Sequence, residues 1–181
     1  MFFMCSTIKT TTMKTYIINP ETNKAVSIDA WKKEENPARA ELVALELNDG
    51  ADYLIIRKTP SDKQMTFPDA QEYAAGVQIM GRPARCATRK ESIDLYDARF
   101  LAQLDEAMEL IDGRRIAYRF WTCEKDVDPD FANLAWSSDG SVGCCNYELM
   151  CVGLMALPLL LLPARFVPIR EDEAVFQEPL P

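Results

Sequence analysis

Histidine is absent from this chain of 181 residues. Ser-His-Asp triads and Cys-His pairs need an imidazole to carry protons, and mixed Cys/His zinc sites need one as a ligand. The absence excludes these classes of site. Carboxylates, lysine and tyrosine remain as groups that transfer protons. We therefore expect a protein that is not an enzyme, although the composition alone does not exclude one.

Paired cysteine motifs are also missing. The chain has six cysteines, but no C-x-x-C spacing occurs among them. Zinc ribbons and thioredoxin-like redox sites use that spacing. The cysteines stand mostly among apolar residues, where a free thiol behaves as a small buried hydrophobe. The pattern predicts reduced core thiols and no cofactor.

Positive charge is scarce, because 20 Lys and Arg face 28 Asp and Glu, which gives a net charge of −8. Binding to a nucleic-acid backbone needs clustered Lys and Arg. We expect no nucleic-acid partner.

No apolar run is long enough to span a membrane. The longest, Val152–Leu162, contains Pro158 and is followed by Pro163, so it predicts a buried strand rather than membrane insertion. Residues 1–13 lack the pattern of a signal peptide and are predicted to be a disordered leader or to precede a start at Met13. Without a signal peptide we expect the cytoplasm or a phage particle rather than secretion.

Two pairs of short strands are predicted in the first 60 residues, each pair joined by a polar turn. The strands are Tyr16–Ile18, Ala25–Ile28, Leu42–Leu47 and Tyr53–Ile56. Asn48-Asp49-Gly50 is a strong turn signal between the second two. The charged segment Trp31–Ala40 is predicted to be a surface connection.

Three helices are predicted next. Thr66 with Asp69 starts the first, and Thr88 with Glu91 forms a capping box at the second. The third, Ala98–Ile111, places its apolar residues on one face. Those residues are Leu101, Leu104, Met108 and Ile111. Beyond residue 114 the apolar period changes towards two, which indicates strands.

Several short motifs occur in a fixed order over roughly half of the chain. They are Thr66-Phe67-Pro68-Asp69-Ala70, Arg85-Cys86-Ala87-Thr88-Arg89-Lys90-Glu91, Phe120-Trp121-Thr122-Cys123-Glu124, Ala135-Trp136, Asp139-Gly140 and Cys151-Val152. In this order they resemble a family of bacterial and phage C-type-lectin-like domains of unknown function, whose architecture is shared by formylglycine-generating enzymes. Two departures stand out: Cys86-Ala87 replaces the family's Leu-Pro, and Leu154–Leu157 replaces its closing arginine region.

The resemblance implies an α+β protein with a C-type-lectin-like fold, in which helices precede an antiparallel meander of short strands. The domain would span residues 61–170. A small N-terminal β-hairpin region, 14–60, would precede it, and an acidic tail, 171–181, would follow it.

The resemblance also implies a ligand-binding face on the loops between Trp121 and Tyr147. The candidate binding residues are Trp136, Ser138, Asp139, Asn146 and Tyr147. Trp121 is predicted to be core, because strand residues flank it. The calcium motifs of sugar-binding animal lectins do not occur, so the implied function is calcium-independent binding of an unknown protein or glycan.

Three alternatives stay open. Asp126, Asp128 and Asp130 alternate like the start of a calcium loop, although a solvated acidic loop is the preferred interpretation. The segment Leu157–Val167 is either buried or an interface, including one between copies of this chain. Formylglycine generation, which uses paired cysteines on the final loops, is the third alternative. Its candidate cysteines here are Cys144, Cys145 and Cys151.

Overall fold

The computed structural model describes residues 14–34, 40–58, 65–95, 98–112, 119–125, 131–136, 142–146 and 156–168. Within these ranges the protein is α+β, with helices and antiparallel sheets, as predicted. The strands are β1 Thr15–Ile18, β2 Ala25–Ser27, β3 Leu42–Leu47, β4 Asp52–Arg57, β5 Gln78–Ile79, β6 Arg82–Pro83, β7 Arg119–Lys125, β8 Phe131–Trp136, β9 Val142–Asn146 and β10 Leu159–Pro163. The α-helices are α1 Ile28–Trp31, α2 Phe67–Gly76, α3 Arg89–Leu95 and α4 Ala98–Asp112.

A five-stranded antiparallel sheet in the order β10-β4-β3-β1-β2 contains both predicted N-terminal strand pairs. The turn between β3 and β4 has left-handed backbone at Asn48, Asp49 and Gly50, with φ of 51°, 55° and 83°. Asn, Asp and Gly are the residues that tolerate this conformation. The local sequence therefore sets the register of the central strand pair.

Both faces of this sheet are covered, which is why β3 and β4 are almost continuously apolar. One face packs against α4 and the neighbouring helices, through Leu104, Ala107 and Met108. The opposite face packs against the β5–β6 hairpin and Val167. The apolar face predicted for α4 is confirmed, because Leu104 and Met108 are buried and Leu101 and Ile111 pack against the same cluster.

The leucine-rich C-terminal segment forms β10, which pairs with β4 at the edge of the main sheet. The sheet thus draws strands from both sides of residue 60, and the division into two regions at that point stays a prediction. The free side of β10 is partly closed, because Leu159 exchanges two backbone hydrogen bonds with Arg85, of 2.9 and 3.0 Å. Pro163 has no N–H to offer. These features protect a sheet edge against further pairing.

A second sheet of three antiparallel strands, β7-β8-β9, forms the predicted meander. It joins the main body through β7, where Ala87 forms a parallel bridge with Thr122. Phe120 and Trp121 have no exposed surface and belong to two different apolar clusters. The prediction that Trp121 is core is confirmed.

Helix capping follows the sequence. The Thr66 hydroxyl accepts from the Asp69 amide at 3.3 Å. Thr88 and Glu91 form the reciprocal pair: the Thr88 amide donates to the Glu91 carboxylate at 2.8 Å, and the Glu91 amide to the Thr88 hydroxyl at 3.2 Å. Both predicted helix starts are confirmed.

The predicted surface connection is wrong at its two ends. Trp31 ends the short helix α1 and is 4% exposed, and Ala40 is 1% exposed. The sequence did not indicate the burial of Trp31, because one aromatic side chain among lysines and glutamates gives no periodic apolar signal. Residues 35–39 lie outside the described residues.

Thr15 contributes a buried hydroxyl at the start of β1. It is 4% exposed, and its Oγ1 has no hydrogen-bond partner among the described residues. A buried hydroxyl without a partner destabilises a protein. We expect Thr15→Val to raise the free energy of unfolding by about 1 kcal/mol in urea denaturation.

Thr122→Val is the matched control, because Thr122 is equally buried but its hydroxyl accepts from the Glu124 amide at 3.4 Å. This substitution is expected to destabilise the protein. A loss of stability in both variants would show that the Thr15 hydroxyl is satisfied.

Candidate functional site

Two of the candidate binding residues, Trp136 and Asn146, lie at opposite ends of the β8–β9 pair. Trp136 ends β8 and precedes the connection at 137–141 that contains Ser138 and Asp139. Asn146 ends β9, opposite Phe131 at the start of β8. At about 3.4 Å per residue, the backbone at Trp136 and at Asn146 is separated by the length of a strand. Ser138, Asp139 and Tyr147 lie outside the described residues. For Trp136 and Asn146 the structure describes the backbone and not the direction of the side chain.

The other candidate ligands are mostly outside the described residues too. Asp126, Asp128, Asp130 and Cys151 are not described, whereas Cys144 and Cys145 lie in β9, opposite Asn133 and Ala132. Among the described residues, no group of three or more Cys, Asp or Glu side chains is placed to hold a metal ion.

An ion pair between Arg85 and Glu91 connects the first turn of α3 to the main sheet. The Arg85 guanidinium binds both carboxylate oxygens of Glu91, at 2.6 and 2.7 Å, and Glu91 is 6% exposed. Burial acts to raise the pKa of Glu91, but the hydrogen bonds from Arg85 and from the Thr88 amide outweigh burial and hold the pKa below its ordinary value. Because Arg85 also bridges to Leu159 in β10, the pair ties the C-terminal strand to the helix.

Two cysteines adjoin this ion pair. Cys86 is fully buried, and burial raises the pKa of its thiol to about 12. Burial also raises the pKa of Cys123, which is half-buried. Thiols with raised pKa values are protonated at neutral pH and are poor nucleophiles. The prediction of a buried core thiol is confirmed for Cys86.

A carboxyl and two phenols meet on the hairpin side of the main sheet. The Tyr16 hydroxyl donates to Glu46 at 3.3 Å, and the Tyr16 and Tyr53 rings pack edge to face with centroids 6.0 Å apart. Burial raises the pKa of Glu46, and the Tyr16 hydrogen bond opposes that effect. Burial also raises the pKa of Tyr53 to about 12. The sequence patterns did not predict this cluster; the one local signal is that Glu46 is an acid inside the otherwise apolar strand β3.

The raised pKa of Glu46 predicts a pH-dependent stability difference. Protonated Glu46 favours the folded state below the pKa of the unfolded chain, about 4.3, and this contribution is lost as pH rises through the higher folded pKa. We therefore expect Glu46→Gln to become more stable relative to the natural protein as pH increases from about 4 to neutrality.

Urea unfolding at several pH values measures that difference. Tyr16→Phe is the companion variant: it removes the hydrogen bond that lowers the Glu46 pKa, so the pKa of Glu46 should rise further. A stability difference for Glu46→Gln that does not change with pH would contradict the assignment.

Comparison with known proteins found no family model that matches this chain and no curated protein significantly similar to it. Within the described part of the chain, no helix combines the length and the apolar character needed to cross a membrane.

Proposed function

We propose that this protein is a binding module of C-type-lectin-like architecture, which recognises a protein or glycan ligand without calcium and without catalysis. The observation that carries the proposal is how the meander is anchored. Its first strand, β7, is fixed by the fully buried residues Phe120, Trp121 and Thr122. Strand β8 pairs with β7 and β9 pairs with β8, and the candidate residues Trp136 and Asn146 end these two strands. Connections on a rigid scaffold are where binding residues concentrate.

The chemistry of the candidate residues fits recognition of a mixed polar and apolar surface. Trp136 and Tyr147 offer rigid aromatic area with a polar group, and Ser138 and Asn146 offer adaptable hydrogen bonding. Because Trp136 and Asn146 lie at opposite ends of the β8–β9 pair, the proposal separates into one test at Trp136 and one at Tyr147, which follows Asn146 in the chain. Each end is testable by itself.

Single substitutions at the two ends test the proposal. The full chain is screened against a glycan array and a displayed peptide library, and the hits are measured again with Trp136→Ala and Tyr147→Ala. Removing an aromatic contact at the centre of a binding surface is expected to weaken binding about tenfold or more. Thermal unfolding should remain unchanged in both variants.

Leu110→Ala is the matched control, because Leu110 is 42% exposed on α4, a helix that packs against β1 and β3 of the main sheet. It should bind as the natural protein does. The proposal is wrong if no ligand is found, or if every hit binds equally to both aromatic variants.

The assembly hypothesis has less support. Leu157, Leu159, Leu162 and Val167 are each at most 2% exposed and pack within the core of this chain. Leu161 and Phe166 are the residues of the segment that the structure shows as large and exposed apolar side chains. Burial within one chain therefore accounts for most of the apolar character from which an interface was inferred.

A further inference from the structure

Two arginines converge on one exposed aromatic ring at the C-terminal edge of the main sheet. The Arg82 guanidinium carbon lies 4.4 Å from the centroid of the Phe166 ring, and that of Arg165 lies 5.0 Å from it. Both distances are within the range of cation–π attraction. We call these three residues the Arg–Phe cluster.

The cluster is assembled from two separate parts of the chain. Arg82 follows the two-residue turn Met80-Gly81, which has left-handed backbone at both positions, with φ of 50° and 75°. This geometry matches a tight hairpin turn, although Met is an unfavourable residue there. Arg165 and Phe166 lie in the short 3-10 helix Ala164–Phe166 after β10.

Buried neighbours hold both parts in place. Ile79 and Ala84 anchor the hairpin, and Val167, directly after Phe166, is 2% exposed. The Ala164 amide donates to the Ala51 carbonyl at 2.9 Å. Phe166 nevertheless keeps 37% of its surface exposed, so the ring is positioned at the surface by a rigid backbone.

The charge of the cluster has no counterpart among the described residues. There the ion pairs use Lys32, Arg57 and Arg85, and neither Arg82 nor Arg165 has a carboxylate partner. Two positive groups beside one ring repel each other. Their accumulation in a protein of net charge −8 creates a local positive potential, which attracts an anionic group.

We propose that the Arg–Phe cluster is a docking surface for an extended acidic peptide segment of a partner protein. Guanidinium groups bind carboxylates through paired hydrogen bonds, and stacking on Phe166 orients the two groups before the ligand arrives. Alternate residues of an extended peptide lie on one side, about 7 Å apart. Because both guanidinium carbons lie within 5.0 Å of one ring centroid, two carboxylates on the same side of such a peptide can reach both groups.

A peptide fits better than a nucleic acid for two reasons. A stable complex with a nucleic acid needs many phosphate contacts, whereas this cluster offers two cations. The exposed ring of Phe166 also provides apolar contact for the aliphatic part of a glutamate side chain. This surface is distinct from the ends of the β8–β9 pair and does not depend on the function proposed there.

Fluorescence anisotropy at low ionic strength tests the proposal. The probe is a labelled peptide in which Glu alternates with Ser, and the same peptide with Gln is the reference. The full chain is expected to bind the Glu peptide and not the Gln peptide. Arg82→Gln and Arg165→Gln should each weaken binding about fivefold, the effect of losing one exposed charge pair. Phe166→Leu should weaken peptide binding as well, because the guanidinium groups lose the aromatic ring on which they stack.

Lys33→Gln is the control for charge alone, since Lys33 is exposed at the end of α1 and the net charge changes equally. It should bind the Glu peptide as the natural protein does. All variants should unfold at the same temperature as the natural protein. An equal loss of affinity for the Glu peptide in Lys33→Gln and in the arginine variants would overturn the proposal, because the attraction would then depend on net charge alone. Tighter binding of a short oligothymidine than of the Glu peptide would overturn it in favour of a nucleic-acid ligand.

Discussion

Trp121→Ala is expected to lower the free energy of unfolding by about 4 kcal/mol, within the range measured when buried tryptophans are truncated. The side chain has no exposed surface. Its ring packs edge to face against Phe67 of α2, with centroids 5.7 Å apart, and its Nε1 donates to the Met65 carbonyl at 2.8 Å. Truncation therefore leaves a cavity and also leaves a backbone acceptor without its donor.

Urea denaturation monitored by circular dichroism measures this loss. Trp121→Phe is the graded control, because it keeps aromatic contact with Phe67 but loses the hydrogen bond to Met65, and we expect it to cost about half as much. A loss below about 1 kcal/mol for Trp121→Ala would contradict the assignment of this residue as the anchor of the meander.

Arg85→Ala is expected to cost about 3 kcal/mol at neutral pH, the lower end of the range for breaking a buried pair. The lower end applies because the Arg85 side chain keeps 38% of its surface exposed, whereas that of Glu91 keeps 9%. The substitution leaves a buried carboxylate without its cation. It also removes the hydrogen bond from Arg85 to the Cys86 carbonyl at 3.1 Å.

The pH dependence identifies the cause of that loss. The pKa of Glu91 is lowered in the folded protein, so its contribution is present above the unfolded pKa and is lost as pH falls through the folded value. The penalty of Arg85→Ala should therefore shrink as the medium becomes more acidic than about pH 4. Glu91→Gln should cost less than Arg85→Ala, because glutamine still accepts from the Thr88 amide and Arg85 reaches solvent. Equal penalties at acidic and neutral pH would indicate lost packing instead.

Local sequence signals predicted α2, α3, α4 and the first four strands, whereas the short helix α1 was not predicted. The Thr88–Glu91 box and the Asn48-Asp49-Gly50 turn act over three or four residues, so the chain specifies them without tertiary context. The strand residues Phe120 and Thr122 on either side of Trp121 likewise indicated a core position.

Longer-range features gave no such signal. No local sequence signal predicts that Leu159 pairs with both Ile56 of β4 and Arg85, because strand pairing is decided by packing over the whole fold. The Arg–Phe cluster joins residues more than eighty positions apart in sequence. The resemblance implies one binding face that includes Trp136 and Asn146, whereas the register of β8 with β9 places these two residues at opposite ends of the strand pair.

The leucine-rich C-terminal segment completes the sheet of its own chain, and we expect that it is not an assembly interface. Leu161 and Leu162 provide a matched pair, because they are adjacent in β10 but are 40% and 2% exposed. We expect Leu162→Ala to cost about 2 kcal/mol of unfolding free energy, and Leu161→Ala to stay within about 0.5 kcal/mol.

Sedimentation velocity of the natural protein and of Leu161→Asp tests the claim most directly. We predict the same sedimentation coefficient and the same circular dichroism for the natural protein and the variant, because Leu161 faces solvent at the edge of the sheet. A folded Leu161→Asp variant that sediments as a smaller species would contradict it and would show that this edge holds copies of the chain together.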